Sequence, residues 1–224
     1  MKKSTLLIAL LMFAMGVLAA RFLFQAPASP TTNSRIGEIL QSQAEVITAE
    51  ATKSDFQGPV VEGGIGSDFT LSRGYKQVSL SDFRGKVAVI YFGYTSCPDV
   101  CPTTLGIISG SLKSLQADEI AQVQPIFISL DPERDKRENG KPLMDYAQHY
   151  HPSFIGLTGA SEDIRKVATR YRTFFNTLET TSYLGYLIHH TSKTYVISKD
   201  GKSVQVLPHD MTKESLAAAI RQAL

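Results

Sequence analysis

Two cysteines, Cys97 and Cys101, are the only thiols in the 224-residue chain. They lie in the run Tyr91-Phe92-Gly93-Tyr94-Thr95-Ser96-Cys97-Pro98-Asp99-Val100-Cys101-Pro102. A thiolate is both a nucleophile and a soft metal ligand, so the pair could exchange disulfides or chelate a metal. The Cys-x-x-x-Cys spacing is one residue longer than the thioredoxin redox motif. On a helix, four residues rise about 6 Å, within the roughly 4.4–6.8 Å that separates disulfide-bonded Cα atoms. Spacing therefore permits a disulfide or a shared metal ion and does not choose between them. A lone exported pair ordinarily staples a structure, but so short a loop gains little from closure. Pro102 suits the first position of a helix, where its missing N–H costs nothing. Cysteines just ahead of a helix N-terminus feel its partial positive charge and form thiolates readily.

Some element must hold this pair in place. Val87 to Phe92 is a continuous apolar run rich in β-formers and predicts a central strand buried on both faces. Leu105, Ile108, Leu112 and Leu115 follow at helical spacing. Upstream, Phe69–Leu71 and Gln77–Leu80 flank Arg73-Gly74 as a hairpin. Downstream come a strand at Val123–Leu130, a helix through Leu143, Tyr146, Ala147 and Tyr150, and a short strand at Phe154–Leu157. A helix then follows, capped by Ser161, with Ile164, Val167, Ala168 and Tyr171 inside. Strands at Thr194–Ile197 and Val204–Leu207 surround the turn Asp200-Gly201, and a last helix starts near Thr212. This alternation predicts an α/β layered domain with a largely parallel core. A hairpin, a strand, a cysteine pair and a helix in that order point to a thioredoxin-like fold.

The cysteine run resembles the copper loop of the Sco/SenC family. The similarity continues through Ser129-Leu130-Asp131-Pro132-Glu133-Arg134-Asp135 and Gly156-Leu157-Thr158-Gly159, and covers roughly residues 65 to 210. The resemblance implies a copper metallochaperone that delivers copper to the dinuclear copper site in subunit II of cytochrome c oxidase or to another copper-receiving protein. It also implies that Cys97, Cys101 and His190 are the metal ligands. Thiolates select Cu(I), and an imidazole extends a site to Cu(II). Of the five histidines, His190 matches by motif, because it precedes Thr191 and a late strand. The chain departs from the family at His189, where an Asp is usual. That Asp could orient the site, and a histidine would replace it weakly or offer an alternative ligand. His149 and His151 flank Tyr150 near a helix end, and His209 is expected in an exposed loop. Asp131–Asp135 is expected either to form a turn or to support the copper loop by hydrogen bonds. Asp99 is expected to cap a helix.

The rival reading is a membrane-tethered thiol–disulfide oxidoreductase, with Cys97 and Cys101 as the catalytic redox pair and a partner protein's cysteines as substrate. On either reading a thiol–disulfide reductant must keep the pair available. A thiol peroxidase shares the fold but is not selected by any residue. A structural zinc site would ordinarily need a fourth protein ligand.

The N-terminus reads as a targeting segment. Lys2 and Lys3 precede an apolar run from Leu6 to Ala20, and Phe22-Leu23-Phe24 extends it past Arg21. A cleaved signal peptide and an uncleaved anchor both fit, and the anchor is the reading preferred. Residues 1–24 are thus the signal anchor or signal peptide, 25–58 an Ala-, Ser-, Thr-, Gln- and Pro-rich linker, and 59–224 the thioredoxin-like domain. The lysines would stay cytoplasmic. The domain would lie on the periplasmic side of a bacterial-type inner membrane, single-pass or released by cleavage. The formal net charge is +2. Beyond residue 21 there are 20 Lys+Arg against 21 Asp+Glu, so the exported part is not basic and nucleic acid is excluded as a partner.

Overall fold

The computed structural model describes residues 65, 67–181, 185–202 and 204–224. The expected membrane segment, the linker and the domain start at Pro59 lie outside the described residues. Among the described residues, no helix is long and apolar enough to cross a membrane.

The centre is a five-stranded sheet. Its strands are β3 (Val87–Gly93), β4 (Val123–Ser129), β5 (Ile155–Leu157), β8 (Thr194–Ile197) and β9 (Val204–Leu207), in the order β5-β4-β3-β8-β9. β3 pairs with β4 in parallel, as does β4 with β5, whereas β3–β8 and β8–β9 are antiparallel. The expected largely parallel core is therefore mixed. Beyond β3, β8 runs antiparallel to it and β9 returns antiparallel to β8 as its hairpin partner. Every residue of β3 is buried, as its unbroken apolar run required.

Its side chains alternate between faces. Phe92 meets Tyr171 and Tyr195 on one side, whereas Tyr91 stacks with Phe127 on the other. The second face carries the helix that follows the cysteines, α1 (Val100–Lys113), which buries Leu105, Ile108 and Leu112. The short helices α2 (Ala117–Ile120) and α3 (Pro132–Asp135) flank β4. α4 (Arg137–Tyr150) opens with three left-handed residues, Glu138, Asn139 and Gly140, before its regular part buries Leu143 and Ala147. α5 (Ser161–Arg170) buries Ile164, Val167 and Ala168. Its cap position falls on Ala160, so Ser161 sits inside the helix, and its hydroxyl donates instead to Glu133 at 3.4 Å. The last helix, α6 (Lys213–Ala223), is closed by reciprocal Thr212–Ser215 capping bonds of 3.1 Å.

Two hairpins form two-stranded sheets of their own, the first bridged to the residue after β5 through Ser72 and Thr158. β1 (Thr70–Arg73) and β2 (Lys76–Ser79) form the expected N-terminal one. The second, β6 (Phe175–Glu179) with β7 (Tyr186–His190), was not foreseen in the sequence, where both runs mix polar and apolar residues.

Candidate metal centre

The topology brings three remote segments to one edge. β3 and β4 end together, with Gly93 opposite Ser129, and Leu130 N–H donates to the Gly93 carbonyl at 2.7 Å. The cysteine loop therefore emerges beside the Asp131 turn at the carboxyl end of parallel strands, where α/β domains place sites. β8 runs antiparallel to β3, with Thr194 opposite Tyr91. The residues just ahead of β8, including His190 at the end of β7, thus reach the same edge.

α1 begins at Val100, with Asp99 at its cap position. Cys101 therefore lies in the first helical turn and Cys97 just before it. Pro102 occupies the third helical position rather than the expected first, which still spares an N–H that has no partner in the helix. Asp99 stands where a cap was expected, but its side chain makes no capping bond; its carbonyl accepts from Thr103 Oγ1 at 3.1 Å.

Cys101 is fully buried and Cys97 partly exposed. The Cys101 amide donates to Cys97 Sγ at 3.5 Å, and Cys101 Sγ lies 3.5 Å from His190 Nε2. The ligating atoms of Cys97, Cys101 and His190 all fall within 4.8 Å of one another. Bonds of about 2.0–2.3 Å to nitrogen and sulfur let one ion nearly span that distance. His190 Nδ1 lies 3.2 Å from the Thr191 carbonyl, and the Tyr91 and Tyr94 rings stand edge-on to the imidazole. If Nδ1 donates to that carbonyl, Nε2 keeps its lone pair toward the sulfurs. Gly93 makes room for this arrangement: a Cβ there would meet Cys101 Sγ at 2.7 Å and Phe127 at 2.9 Å.

The two thiols are electrostatically unlike. Hydrogen bonding from Cys101, opposed by burial and helped by His190 and the Asp99 and Cys101 backbone, holds the Cys97 thiol well below the usual range. The hydrogen bond to Cys97 and then burial push the Cys101 thiol up. Of the two sulfurs, the accessible Cys97 is the one held toward its thiolate form. Burial and the neighbouring Cys101 also raise the Tyr91 hydroxyl, which donates to Cys101 Sγ at 3.8 Å.

The supporting residues come from Asp131–Asp135, where both expected roles are met. Asp131 caps α3 by accepting from the Arg134 amide at 3.4 Å. Asp135 is buried and accepts from Thr95 N, Thr95 Oγ1 and Ser129 Oγ at 3.1, 2.5 and 2.6 Å. Tyr186, to which the sequence reading gave no role, donates from its hydroxyl to Asp131 at 2.8 Å. Its period-two alternation with Ile188 and His190 was the available signal. His189 points away from the cysteines on the opposite face of β7 and is exposed, across from Asn176. His149 lies edge-on to Tyr150 at the end of α4, His151 Nδ1 lies 2.7 Å from Ser153 Oγ, and His209 is exposed. None of these three joins the cysteines.

The profile of the SCO1/SenC family matches residues 60–224. A SCO2-like protein of Rickettsia conorii is 34% identical over 159 residues, which is 70% of this chain and 76% of the relative. The structure of Bradyrhizobium japonicum ScoI with copper bound is 36% identical, with a TM-score of 0.63 over 72% of this chain and all of that one. BsSco, described as a member of the Sco family of cytochrome c oxidase assembly proteins with a disulfide switch, is 25% identical. It superposes with a TM-score of 0.55 over 72% of this chain and 94% of that one.

Proposed function

Because the chain belongs to the SCO1/SenC family, we propose that it is a copper metallochaperone for assembly of the dinuclear copper site of cytochrome c oxidase. Cys97 and Cys101 bind copper as thiolates, and His190 completes the site. The observation that carries this reading is the convergence of two sulfurs and an imidazole nitrogen within 4.8 Å. That donor set suits both Cu(I), through the thiolates, and Cu(II), through the imidazole. The copper-bound relative from Bradyrhizobium japonicum supports the choice of metal.

Copper is cargo on this reading, so the site must also release it. Cys97 is the ligand that an incoming thiolate of subunit II, or of another receiving protein, reaches first. Buried Cys101 leaves last. The N-terminal segment, residues 1–24, tethers the domain to the membrane through the linker 25–58. The domain, residues 59–224, then works on the periplasmic side, where a thiol–disulfide reductant keeps the pair reduced.

Titration of the reduced full-length chain with Cu(II) and with Cu(I), beside its His190→Ala variant, tests the reading. The expected result is one equivalent of Cu(II) with strong thiolate-to-copper absorption. That absorption is lost in the variant, whereas Cu(I) binding is retained. Absence of stoichiometric copper binding by the folded, reduced chain would overturn it.

The split between the two thiols favours a second activity, thiol–disulfide exchange. The Cys97 thiolate attacks a partner disulfide, forming a mixed disulfide and releasing one partner thiolate. Cys101 then displaces the second partner sulfur, leaving the Cys97–Cys101 disulfide and a reduced partner. This activity would survive His190→Ala and would be lost in Cys97→Ser.

A further inference from the structure

We propose that Asp131–Asp135 is a two-armed clamp that fixes the cysteine loop and the histidine hairpin relative to each other. Asp135 and Arg134 then act as positioning residues for the metal ligands. The inference rests on the copper reading for its functional meaning, while its structural content can be tested without metal.

The clamp is itself rigid. It begins directly beyond β4, and Pro132 stands at the first position of α3. The Asp135 amide donates to the Asp131 carbonyl at 2.9 Å, closing the turn.

One arm reaches the cysteine loop. The buried Asp135 carboxylate takes both the amide and the hydroxyl of Thr95, two residues ahead of Cys97, and is steadied from behind by Ser129 Oγ. The Cys97 amide then donates to the Tyr94 carbonyl at 3.3 Å, so the held residues run directly into the first ligand.

The other arm reaches the hairpin. The Arg134 guanidinium lies 3.5 Å from the centre of the Tyr186 ring, and Nη2 donates to the Tyr186 carbonyl at 2.8 Å. Arg134 Nε pairs with Asp131 at 3.3 Å, and Asp131 accepts from the Tyr186 hydroxyl. Tyr186 and His190 are four residues apart on β7, so they share a face at about 13 Å along the strand. Holding one end of that face aims the other. The hairpin needs such a hold, because among the described residues β6 and β7 form their own two-stranded sheet, with no ladder to the central one.

The arms predict different signatures. Loosening the hairpin arm frees His190, which Cu(II) requires and Cu(I) can do without, because two thiolates suffice for the softer ion. Loosening the loop arm displaces a thiolate, which both ions need. The test uses the full-length chain in detergent, with Arg134→Met for the hairpin arm and Thr95→Val for the loop arm. Cu(II) and Cu(I) dissociation constants are measured, with amide hydrogen exchange in the metal-free state. Arg134→Met is expected to weaken Cu(II) about tenfold to a hundredfold, the range of a lost charged hydrogen bond. It should leave Cu(I) within about twofold and speed exchange of the 186–190 amides, with β3 unchanged. Thr95→Val is expected to weaken both ions and leave hairpin exchange unchanged.

Unchanged hairpin exchange in Arg134→Met, or identical profiles for the two variants, would overturn the clamp. If the wild-type chain binds no copper, the copper reading fails and hairpin exchange alone decides the clamp. If Arg134→Met does not fold, Tyr186→Phe keeps the ring under the guanidinium and removes only the hydroxyl bond. It is then expected to give a smaller shift of the same sign, and no shift would overturn the proposal.

Discussion

The cysteine loop and the histidine hairpin supply the same centre from opposite mechanical situations. The loop grows out of β3, all seven residues of which are buried, and its second sulfur is fully buried beside Gly93 and accepts from the Tyr91 hydroxyl. The hairpin is a two-stranded ribbon with exposed positions along most of β6, and it meets the domain through Phe175 at the start of β6 and through Tyr186 and Ile188 on β7. Two of the three candidate ligands therefore sit on or beside buried core elements, whereas the third sits on a ribbon held by the Arg134 and Asp131 contacts to Tyr186. On the copper reading proposed above, release of cargo would gain from that asymmetry: the core-borne thiolates would keep the metal while loosening of the hairpin's hold lets the imidazole leave.

The comparison breaks if the two regions respond alike to damage. The largest effect is expected for Phe127→Ala, which empties the core beneath Tyr91 and Cys101. Denaturant unfolding should register a loss of about 3–5 kcal/mol, together with the loss of copper binding. Gly93→Ala should cost about 1–3 kcal/mol, because the new methyl meets a sulfur and an aromatic ring held by the core. A Gly93→Ala protein with unchanged unfolding and metal affinity would show that the loop is as adaptable as the hairpin.

A chemical probe sharpens the contrast within the loop. Hydrogen bonding from Cys101 lowers the Cys97 pKa, so its thiolate persists as pH falls below the ordinary thiol range of about 8.5. Iodoacetamide should therefore label Cys97 in the reduced, metal-free chain at mildly acidic pH. Cys101, raised by its bond to Cys97 and by burial, should stay unlabelled until unfolding. Mass spectrometry counting two labels on the folded chain would make the thiols equivalent. The smallest effect is expected on the hairpin's outer face. Leu178 is 48% exposed, and Leu178→Ser should change unfolding free energy by less than about 0.5 kcal/mol.

The sequence disclosed these two regions unequally, for the same physical reason. β3, β4 and α1 carry long, uniform apolar patterns because they are buried, and burial is what periodicity records. β6 and β7 are half exposed, so Phe175–Glu179 and Tyr186–His190 carry no run long enough to read as strands. The contribution of Tyr186 stayed hidden with them. The start of α1 was misplaced because Pro102 is tolerated throughout the first turn, not only at its first position. Cys97 and Cys101 were legible as a pair from local spacing. Their distance to His190 was not, because 89 residues separate Cys101 from that imidazole, and only the antiparallel return of β8 closes the gap. The family resemblance supplied His190 where physical reasoning on the sequence left five histidines.

The adjacent imidazoles of β7 have one more consequence. A slip of one residue between β6 and β7 would turn every side chain to the other face. In most strands that would remove the functional group. Here the shifted strand would carry His189 to the thiolates in place of His190, so the metal alone could not distinguish the correct frame from its neighbour. The discrimination falls to the other end of the strand. The correct frame offers Tyr186 to Asp131 and Arg134, whereas the slipped one offers Gly185, which has no side chain at all. Tyr186 thus works as a proofreading mark for strand alignment, set four residues away from the ligand whose identity it certifies.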